Sequence, residues 1–416
     1  MAQELMKKEG FEYTEHKKAL YFNGHERPDV VDDHQIWFLP DMTAFMQDMI
    51  HYVVGDVMTE FIQSSHFLDY SNGTFAKPRL VCCAHDEMTC QANDGMKKSW
   101  IYTGEHAIKH KGPGRGLHYS GIICSTFGWL ADAGQTIEYG KNYDGYWNGA
   151  MFVQQVCPHF SERLYCNLNS LQLKEKIILT FERTHGAGHK AVFLIDNSQG
   201  HSAYPVDALQ ATRMNLWPGS KQAKMHDGWF ICDGTKVTQS MSFSQEHPEF
   251  SNQPKGMKVI LEERGLWRAG LVMKCKDACT SDTCCARCTI KSQPDFKEQQ
   301  SLVQETIEAA GHYCIFLPKY HCELNFIEYF WGAVKKFIRD NCDYTFNTLK
   351  DNLPKAMASV KLETIRKWEH WTIRWCEAYR MGLGAKDAQQ CVQEYSSHMY
   401  TSHRRIPETA ACTFDA

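Results

Sequence analysis

A short apolar run that ends on an acid constrains the fold of this chain more than any other sequence feature. The run Ala191–Ile195 has the length of a strand, and Asp196 follows it directly, with Asn197 and His201 close behind. A continuously apolar strand is typical of the centre of a sheet that is covered on both faces. The sequence therefore predicts an α/β fold with Asp196 at the tip of a buried strand.

Two further acids occupy comparable positions. Asp86 follows the apolar run Leu80–His85, and Glu328 lies at the start of an amphipathic helix predicted over Asn325–Arg339. Strand ends and helix starts are rigid places, and carboxylates mounted there can hold two divalent cations roughly 3.5–4 Å apart for phosphoryl transfer. We therefore expect Asp86, Asp196 and Glu328 to converge on one Mg²⁺ or Mn²⁺ site.

Each acid also has a purely structural interpretation. Asp86 could be a turn residue, and the adjacent Glu87 competes for the same role. With Asn325 as N-cap, Glu328 would be the third helical residue of a capping box, an arrangement worth about 1 kcal/mol. The order and setting of the three acids together favour the metal site.

Bulk composition sets broad limits. A chain of 416 residues with 43% hydrophobic and 23% charged residues is typical of a globular protein of two or three domains. No apolar stretch approaches the length of a membrane span, and the N-terminal residues lack the apolar core of a secretion signal. The formal charge of −4 argues against coating nucleic acid by bulk charge but leaves room for a local basic groove. We expect most of the 18 cysteines to be reduced and buried.

The motifs around the three acids resemble those of DDE-type transposases of the mariner superfamily, in particular the DDE superfamily endonucleases abundant in fungal genomes. Those proteins carry Asp-Glu after the first strand and Asp-Asn-x-x-x-His after the central strand. Their third motif is Leu-Pro-x-Tyr followed by Leu-Asn-x-Ile-Glu-x-x-Trp-x-x-x-Lys. The matching segments here are Asp86-Glu87, Asp196–His201 and Leu317–Lys335, and the likeness extends from Tyr21 to about Arg405. One departure is His321-Cys322, where the family has Ser-Pro.

The resemblance implies a fold and an activity. The fold would be an RNase H-like mixed sheet that begins with three antiparallel strands and is flanked by helices. Asp86, Asp196 and Glu328 would be the catalytic, metal-binding triad of a DNA endonuclease and polynucleotidyl transferase. The enzyme would use two Mg²⁺ or Mn²⁺ ions to cut double-stranded DNA at transposon ends and to join the freed 3′-OH to target DNA. The resemblance further implies a homodimer or higher homo-oligomer on DNA, and the DNA substrate implies a nuclear location.

The spacing of the second and third acids indicates an insertion. Residues 196 and 328 are 132 positions apart, whereas compact mariner enzymes have a short connection, and the irregular region 207–299 accounts for the excess. We divide the chain into an N-terminal helical and linking segment (1–75), a first part of the core (76–206), an insertion domain (207–299), a second part of the core (300–345) and a helical C-terminal region (346–416).

The insertion contains a cluster of closely spaced cysteines. Thiolates at such spacing can close a tetrahedral zinc site and staple a segment that has little core of its own. Five candidates compete for four ligand positions, and the alternative is a set of reduced, partly buried cysteines. The candidates are Cys275, Cys279, Cys284, Cys285 and Cys288.

Other motifs carry weaker signals. Lys109, Lys111 and Arg115 lie in a basic, glycine-rich loop between two predicted strands, where cations and backbone amides could clamp DNA phosphates; a solvated hairpin loop is the alternative. His201 could orient a ligand or substrate, or could simply be packed behind the site. Trp368, Trp371 and Trp375 have helical spacing, which is more often a core stripe than a base-stacking platform.

The N-terminal segment sets up the main rival hypothesis. Mariner-type enzymes carry helix-turn-helix modules before the catalytic domain, and the segment before this core is too short for two. Either the chain is a fragment, or end recognition falls to the insertion and the C-terminal helices. The rival is a transposase-derived DNA-binding or scaffold protein that no longer catalyses; a zinc hydrolase is weaker, because no open three-ligand motif is visible.

Overall fold

The computed structural model describes residues 24–61, 78–95, 111–156, 176–198, 203–219, 221–276 and 281–394. These residues form two compact units. Unit 1 takes the described residues of Met1–Asn148, Glu175–Ser198 and Ala310–Ala416, and unit 2 takes those of Gly149–Lys174 and Gln199–Ala309. The range 207–299, which we assigned to an insertion, lies within unit 2.

The regular elements of the described residues come in runs of strands and runs of helices. The strands are β1 (His51–Tyr52), β2 (Glu60–Phe61), β3 (Arg79–Gln91), β4 (Gly116–Cys124), β5 (Gly128–Trp129), β6 (Gln135–Glu138), β7 (His189–Ile195), β8 (Gly228–Cys232), β9 (Thr235–Gln239) and β10 (Tyr313–Phe316). The helices are α1 (Pro28–Asp32), α2 (Leu39–Met46), α3 (Gly149–Val156), α4 (Ile177–His185), α5 (Met257–Glu263), α6 (Ala286–Lys291), α7 (Pro294–Lys297), α8 (Leu302–Ala309), α9 (Ile327–Asp340), α10 (Phe346–Ala358), α11 (Leu362–Arg380) and α12 (Ala385–Glu394).

Unit 1 is built on a six-stranded mixed sheet of order β10-β7-β3-β4-β5, in which β6 also pairs with β4. Strands β3, β7 and β10 are parallel, whereas β4 runs antiparallel to β3 and to both β5 and β6. This arrangement confirms the predicted mixed sheet whose first strands are antiparallel. The predicted strand at Ser99–Tyr102 lies outside the described residues.

The apolar run Ala191–Ile195 belongs to an inner strand of this sheet. All five residues of Ala191–Ile195 are buried, and β7 lies between β3 and β10. Helix α4 precedes it and ends at Gly186, whose φ of +72° is one that glycine adopts without steric cost. The prediction of a strand covered on both faces is confirmed.

Strand β3 is longer than the sequence suggested. The prediction that it ends at Asp86 is wrong, because the strand continues to Gln91. Its parallel pairing with β7 stops at Ala84, but β4 continues to supply hydrogen-bond partners, with Asp86 opposite Gly121 and Gln91 opposite Gly116. Asp86 therefore lies in the middle of a strand and just beyond the parallel ladder.

The N-terminal helical segment accommodates a proline without a break. In the sequence, Pro40 interrupts the spaced apolar positions of Asp29–Met49. In the structure it lies in the first turn of α2, directly after a π-helical turn over Asp33–Phe38. In that turn the Leu39 N–H bonds to the carbonyl of His34, five residues back. The wider turn places Pro40, which has no backbone N–H, in the first turn of a new helix, where no hydrogen-bond donor is required.

The C-terminal helices complete the core of unit 1. Helices α9 to α12 contribute much of the cluster that packs against the sheet, including Ile327, Phe330 and Trp375. Trp368 and Trp371 are partly buried against the same cluster, so the tryptophan stripe is a core feature as expected. None of the described helices is both long and apolar enough to cross a membrane.

Unit 2 has its own small core and a hairpin. The sequence predicts a hairpin at Trp229–Phe243 that turns on Asp233-Gly234. Strands β8 and β9 pair through this turn, in which Asp233 and Gly234 have φ of +48° and +78°. Positive φ at both positions matches the right-handed twist of the two strands. Below the hairpin, apolar residues of α5 and α6 such as Ile260 and Ile290 form a separate buried cluster.

Candidate active site

Asp86 and Asp196 meet because β3 and β7 are parallel neighbours. Their register pairs Arg79 with His189 and Ala84 with Leu194, and continuing it two residues further brings Asp86 level with Asp196. One carboxylate oxygen each from Asp86, Glu87 and Asp196 lies within 4.8 Å of the others. Asp86 and Asp196, which are 110 positions apart in the sequence, thus lie side by side just beyond the last parallel pair of β3 and β7.

Glu87 joins this group, as its position beside Asp86 had allowed. Its Oε1 also accepts a hydrogen bond of 2.9 Å from the indole Nε1 of Trp147. The structure therefore places four acids in this region when Glu328 is included.

Glu328 lies in the first turn of α9, but the capping-box alternative for it is wrong. The helix begins at Ile327 with Phe326 as N-cap, and no side chain caps it. Asn325 instead donates from Nδ2 to the backbone carbonyl of His85, over 3.0 Å. That bond ties the start of α9 to the residue before Asp86, so Glu328 is free of a capping role.

Electrostatics show that the acids act on one another. Burial raises the pKa of Asp86 well above its usual range, and the charges of Glu328, Glu87 and Asp196 raise it further. Reduced hydration and the charge of Asp196 also raise the pKa of Glu328, while Lys335 lowers it. Glu328 is not within the 4.8 Å group, but it is near enough to interact with both aspartates.

Asp86 is held by an indole hydrogen bond. Trp331 Nε1 donates to Asp86 Oδ2 over 3.0 Å, and Trp331 lies one turn after Glu328 on α9. Gly121, the partner of Asp86 on β4, makes room for this indole, because a Cβ there would lie 3.1 Å from the Trp331 ring and 2.4 Å from that of Tyr119. One oxygen of Asp86 is thereby oriented.

The donor set fits a hard divalent cation. Carboxylate oxygens are the ligands that Mg²⁺ and Mn²⁺ prefer, and three acids close together repel one another unless a cation is bound between them. The raised pKa of Asp86 is the signature of that repulsion and of burial. Asp86, Glu87 and Asp196 can therefore hold a divalent cation, and Glu328 is a further acid whose charge acts on this group.

The predicted basic loop is only partly described. Lys109 lies outside the described residues, as does His201, and Lys111 is exposed. Arg115 forms an ion pair with Glu138 at 2.5 Å, and its guanidinium lies 3.9 Å from the ring centroid of Phe346. Part of its charge is thus neutralised within the chain.

The cysteine cluster of unit 2 comes together as well. One sulfur each from Cys275, Cys284 and Cys285 lies within 4.8 Å of the others, and the first two sulfurs are 3.4 Å apart. Thiolates around a tetrahedral zinc ion with bonds of about 2.3 Å would be separated by about 3.8 Å. Cys279 lies outside the described residues.

Cys288 completes a set of four. Burial would raise the pKa of Cys285, but hydrogen bonds from the backbone and thiols of Cys288 and Cys275 outweigh burial and lower it. The cluster forms because Cys285 is the N-cap of α6 and the next two residues, Ala286 and Arg287, bond through their amides to the carbonyls of Val272 and Met273. The sulfurs of Cys275, Cys284, Cys285 and Cys288 are a suitable donor set for Zn²⁺.

Sequence reasoning missed the roles of three neighbours of the acids. Trp331 and Lys335 were recognised only as parts of a motif and Asn325 as a helix cap, whereas the structure shows the hydrogen bonds of Trp331 and Asn325 and the effect of the Lys335 charge on Glu328. Helical spacing carried a signal for two of them, because Trp331 and Lys335 follow Glu328 by three and seven residues on one face of α9. The Asn325 bond to the His85 carbonyl has no such signal, since it joins residues 240 positions apart.

No protein-family model matches the chain, and no curated protein matches it. Among solved structures, it is similar to the Mos1 mariner paired-end complex with Mn, with 11% identity, a TM-score of 0.45, and coverage of 92% of this chain and 69% of that one. It is also similar to the Mos1 strand transfer complex, with 10% identity, a TM-score of 0.42, and coverage of 94% and 68%. A Mos1 transposase paired-end complex with the left transposon end matches at 11% identity and a TM-score of 0.41. All three of these structures are complexes of Mos1.

Proposed function

We propose that the chain is a divalent-metal-dependent DNA endonuclease and polynucleotidyl transferase of the DDE transposase type. The observation that carries the proposal is that Asp86 and Asp196 lie close together just beyond the parallel pairing of β3 and β7. Glu328 is near enough for its charge to interact with those of both aspartates. These are the acids at which the sequence motifs match those of the mariner superfamily.

Asp86, Asp196 and Glu328 would hold two Mg²⁺ or Mn²⁺ ions. When bound, such ions supply positive charge for the phosphate and lower the pKa of a coordinated water. The chain's own part is positioning: Trp331 fixes one oxygen of Asp86, and Asn325 fixes the start of α9 and hence Glu328. Lys335 offsets part of the negative charge near Glu328.

The proposed reaction has two steps at phosphorus. In the first, a water oxygen forms a bond to a DNA phosphorus at the transposon end while the bond from phosphorus to the 3′ oxygen breaks. The products are a 3′-OH and a 5′-phosphate. In the second, that 3′ oxygen attacks a phosphorus of target DNA and displaces a new 3′-OH, with no net change in the number of phosphodiester bonds.

Double-stranded DNA is the proposed partner, bound by a homodimer or higher homo-oligomer, and the substrate would place the protein in the nucleus. Lys111, which is exposed, and the partly exposed Arg115 are candidates for phosphate contacts on the loop that leads into β4. Such contacts would make DNA affinity fall with salt concentration. The test is the salt dependence of DNA binding, whose slope should decrease in Lys111→Ala.

The direct functional test is nicking of supercoiled plasmid DNA with Mg²⁺ or Mn²⁺. We expect the wild type to nick and Glu328→Gln to be inactive, because the amide removes a charged ligand while keeping the shape. Glu363→Gln is a matched control, since Glu363 is also the second residue of its helix but is exposed on α11. Nicking by Glu328→Gln at the wild-type rate would contradict the proposal. DNA binding without nicking by the wild type would instead favour the catalytically silent DNA-binding protein.

We further propose that Cys275, Cys284, Cys285 and Cys288 bind a structural Zn²⁺ in unit 2. The sulfur separations and the lowered pKa of Cys285 support this assignment. Elemental analysis should show that Cys285→Ser contains less zinc per chain than the wild type, whereas Cys232→Ser, which alters an exposed cysteine of the hairpin, keeps the wild-type content. Equal zinc contents in the two variants would refute the site.

A further inference from the structure

A second group of potential ligands lies inside unit 1, among residues that the proposed reaction does not use. His25, His34, His321 and Glu323 are each no more than 5% exposed. One ligand atom each from His25, His321 and Glu323 lies within 4.8 Å of the others, and the rings of His34 and His321 have centroids 5.0 Å apart. Three imidazoles and a carboxylate therefore share one buried space.

Several polar atoms in this space make no hydrogen bond. They include Nδ1 of His34, Nε2 of His321 and Oε2 of Glu323, and the ring nitrogens of His25 make no well-formed bond either. Leaving a buried polar group without a hydrogen bond destabilises the folded state. Such a concentration of unsatisfied donors and acceptors is expected where a ligand of the protein normally binds.

The hydrogen bonds that Glu323 makes in this space orient His321 so that its second ring nitrogen can bind a metal ion. Glu323 Oε1 accepts from the hydroxyl of Tyr379 over 2.6 Å and pairs with Nδ1 of His321 over 2.8 Å. If His321 donates its Nδ1 proton to this carboxylate, its Nε2 must carry a lone pair. A carboxylate that fixes the tautomer of a histidine in this way is a frequent companion of protein metal sites.

We propose that His25, His321 and Glu323, with His34 as the fourth donor, bind a divalent transition-metal ion, and that the ion is Zn²⁺. Mixed imidazole and carboxylate ligands suit zinc, whereas Mg²⁺ and Ca²⁺ prefer oxygen alone. Zinc bonds of about 2.0–2.2 Å require donor atoms about 3.4 Å apart, so the side chains must move together by roughly one ångström.

The location gives the ion a structural role. His25 precedes α1 and His34 lies in the π-helical turn, whereas His321 and Glu323 belong to the loop that leads into α9 and Glu328. A metal bound here fastens the N-terminal helical segment to that loop. The site also includes His321, where the mariner-like motif otherwise has serine.

The test is metal analysis of the full-length chain in a background that cannot use the cysteine site. The double variant Cys284→Ser/Cys288→Ser is purified without chelator, dialysed against micromolar ZnCl₂ and then against excess Mg²⁺ to clear the acidic site. We expect about one zinc ion per chain to remain, with X-ray absorption showing nitrogen and oxygen neighbours and imidazole scattering. Adding His321→Asn should remove this zinc, whereas His370→Asn should not, because His370 lies outside the cluster and contacts the carbonyl of Tyr52.

A folded background variant that retains no zinc would overturn the proposal. Should a variant fail to fold, anomalous scattering at the zinc edge from crystals of the unaltered chain decides the question. A peak among His25, His321 and Glu323 supports the site, and a peak at the cysteines alone refutes it.

Discussion

At the scale of single residues, the candidate active site depends on how Asp86 is oriented. Its Oδ2 accepts the indole hydrogen bond of Trp331. Groups that orient a metal ligand typically affect metal affinity by 10- to 100-fold. The orientation of Asp86 is therefore a property that substitution can measure.

We predict that Trp331→Phe weakens Mn²⁺ binding by about 10- to 100-fold, because the ring is kept but its N–H donor is lost. Calorimetric titration with Mn²⁺ measures the change. Trp375→Phe is the matched control, since Trp375 is another buried tryptophan of the same core. Equal Mn²⁺ affinities in the two variants would show that the indole bond does not position Asp86.

Glu369 provides a residue-scale prediction about pH. Burial in the core, opposed by a hydrogen bond from Ser125, raises its pKa from 4.5 to about 8. Between these values the folded state holds a proton that the unfolded state has lost, so the free energy of unfolding decreases as pH rises from about 4.5 to about 8. The loss is on the order of a few kcal/mol.

In Glu369→Gln this part of the pH dependence should disappear, and the variant should gain stability relative to wild type as pH rises to 8. Urea unfolding at pH 5 and pH 8 measures the difference. A difference between variant and wild type that is the same at both pH values would contradict the raised pKa.

At the scale of elements, the sequence predicted whether a segment is a helix or a strand better than it predicted the residues at which each element begins and ends. The hairpin of β8 and β9 and the buried strand β7 follow from local signals, an Asp-Gly turn and a continuous apolar run. The end of β3 and the start of α9 were predicted wrongly because partners distant in sequence decide them. Strand β4 extends β3 past Asp86, and the His85 carbonyl takes the amide of Asn325 away from capping.

The elements of unit 2 are joined by a buried ion pair. Arg264, at the end of α5, and Asp295, in α7, pair at 2.6 Å with both side chains fully buried. Arg264 also donates to Gln239 of β9, and Asp295 accepts from the backbone N–H of Trp229 in β8. The pair therefore connects two helices to the hairpin.

We predict that Asp295→Asn destabilises unit 2 by about 3–5 kcal/mol, because it leaves the Arg264 guanidinium buried without a counter-charge. Replacing both residues with apolar ones, as in Arg264→Met/Asp295→Leu, should recover much of that loss. Lys336→Gln is a control for simple charge removal, since its pair with Asp340 is exposed and worth at most about 1 kcal/mol. Thermal unfolding compares the variants; a loss in the double variant as large as in Asp295→Asn would rule out the buried charge as the cause.

At the scale of the whole molecule, the sequence predicted the class of sheet, and two of the three acids that it singled out, Asp86 and Asp196, lie close together. It could do so because apolar runs followed by acids report both burial and strand ends. The buried histidine cluster was not predicted, since His25 and His321 are brought together only by the fold. Its chemistry is visible only when burial and missing hydrogen bonds are known.

Without a bound metal ion, repulsion among the carboxylates of the candidate active site should lower the stability of the folded protein. We predict that Asp196→Asn raises the melting temperature in the absence of metal, because one of the mutually repelling charges is removed. Adding Mn²⁺ should stabilise the wild type, by about 2.7 kcal/mol at one hundred times the dissociation constant, and should stabilise the variant much less. Differential scanning calorimetry with and without Mn²⁺ checks both parts; lower stability of metal-free Asp196→Asn would contradict the repulsion.

The central claim is that Asp86, Asp196 and Glu328 form one divalent-metal centre, and Mn²⁺ titration followed by electron paramagnetic resonance tests it most directly. The measurement needs neither DNA nor a known recognition sequence, because the signal of free Mn²⁺ diminishes as the ion binds. We predict saturable binding by the wild type that is strongly weakened in Asp86→Asn, Asp196→Asn and Glu328→Gln and unchanged in Glu363→Gln. Binding of equal strength in all five proteins would contradict the account.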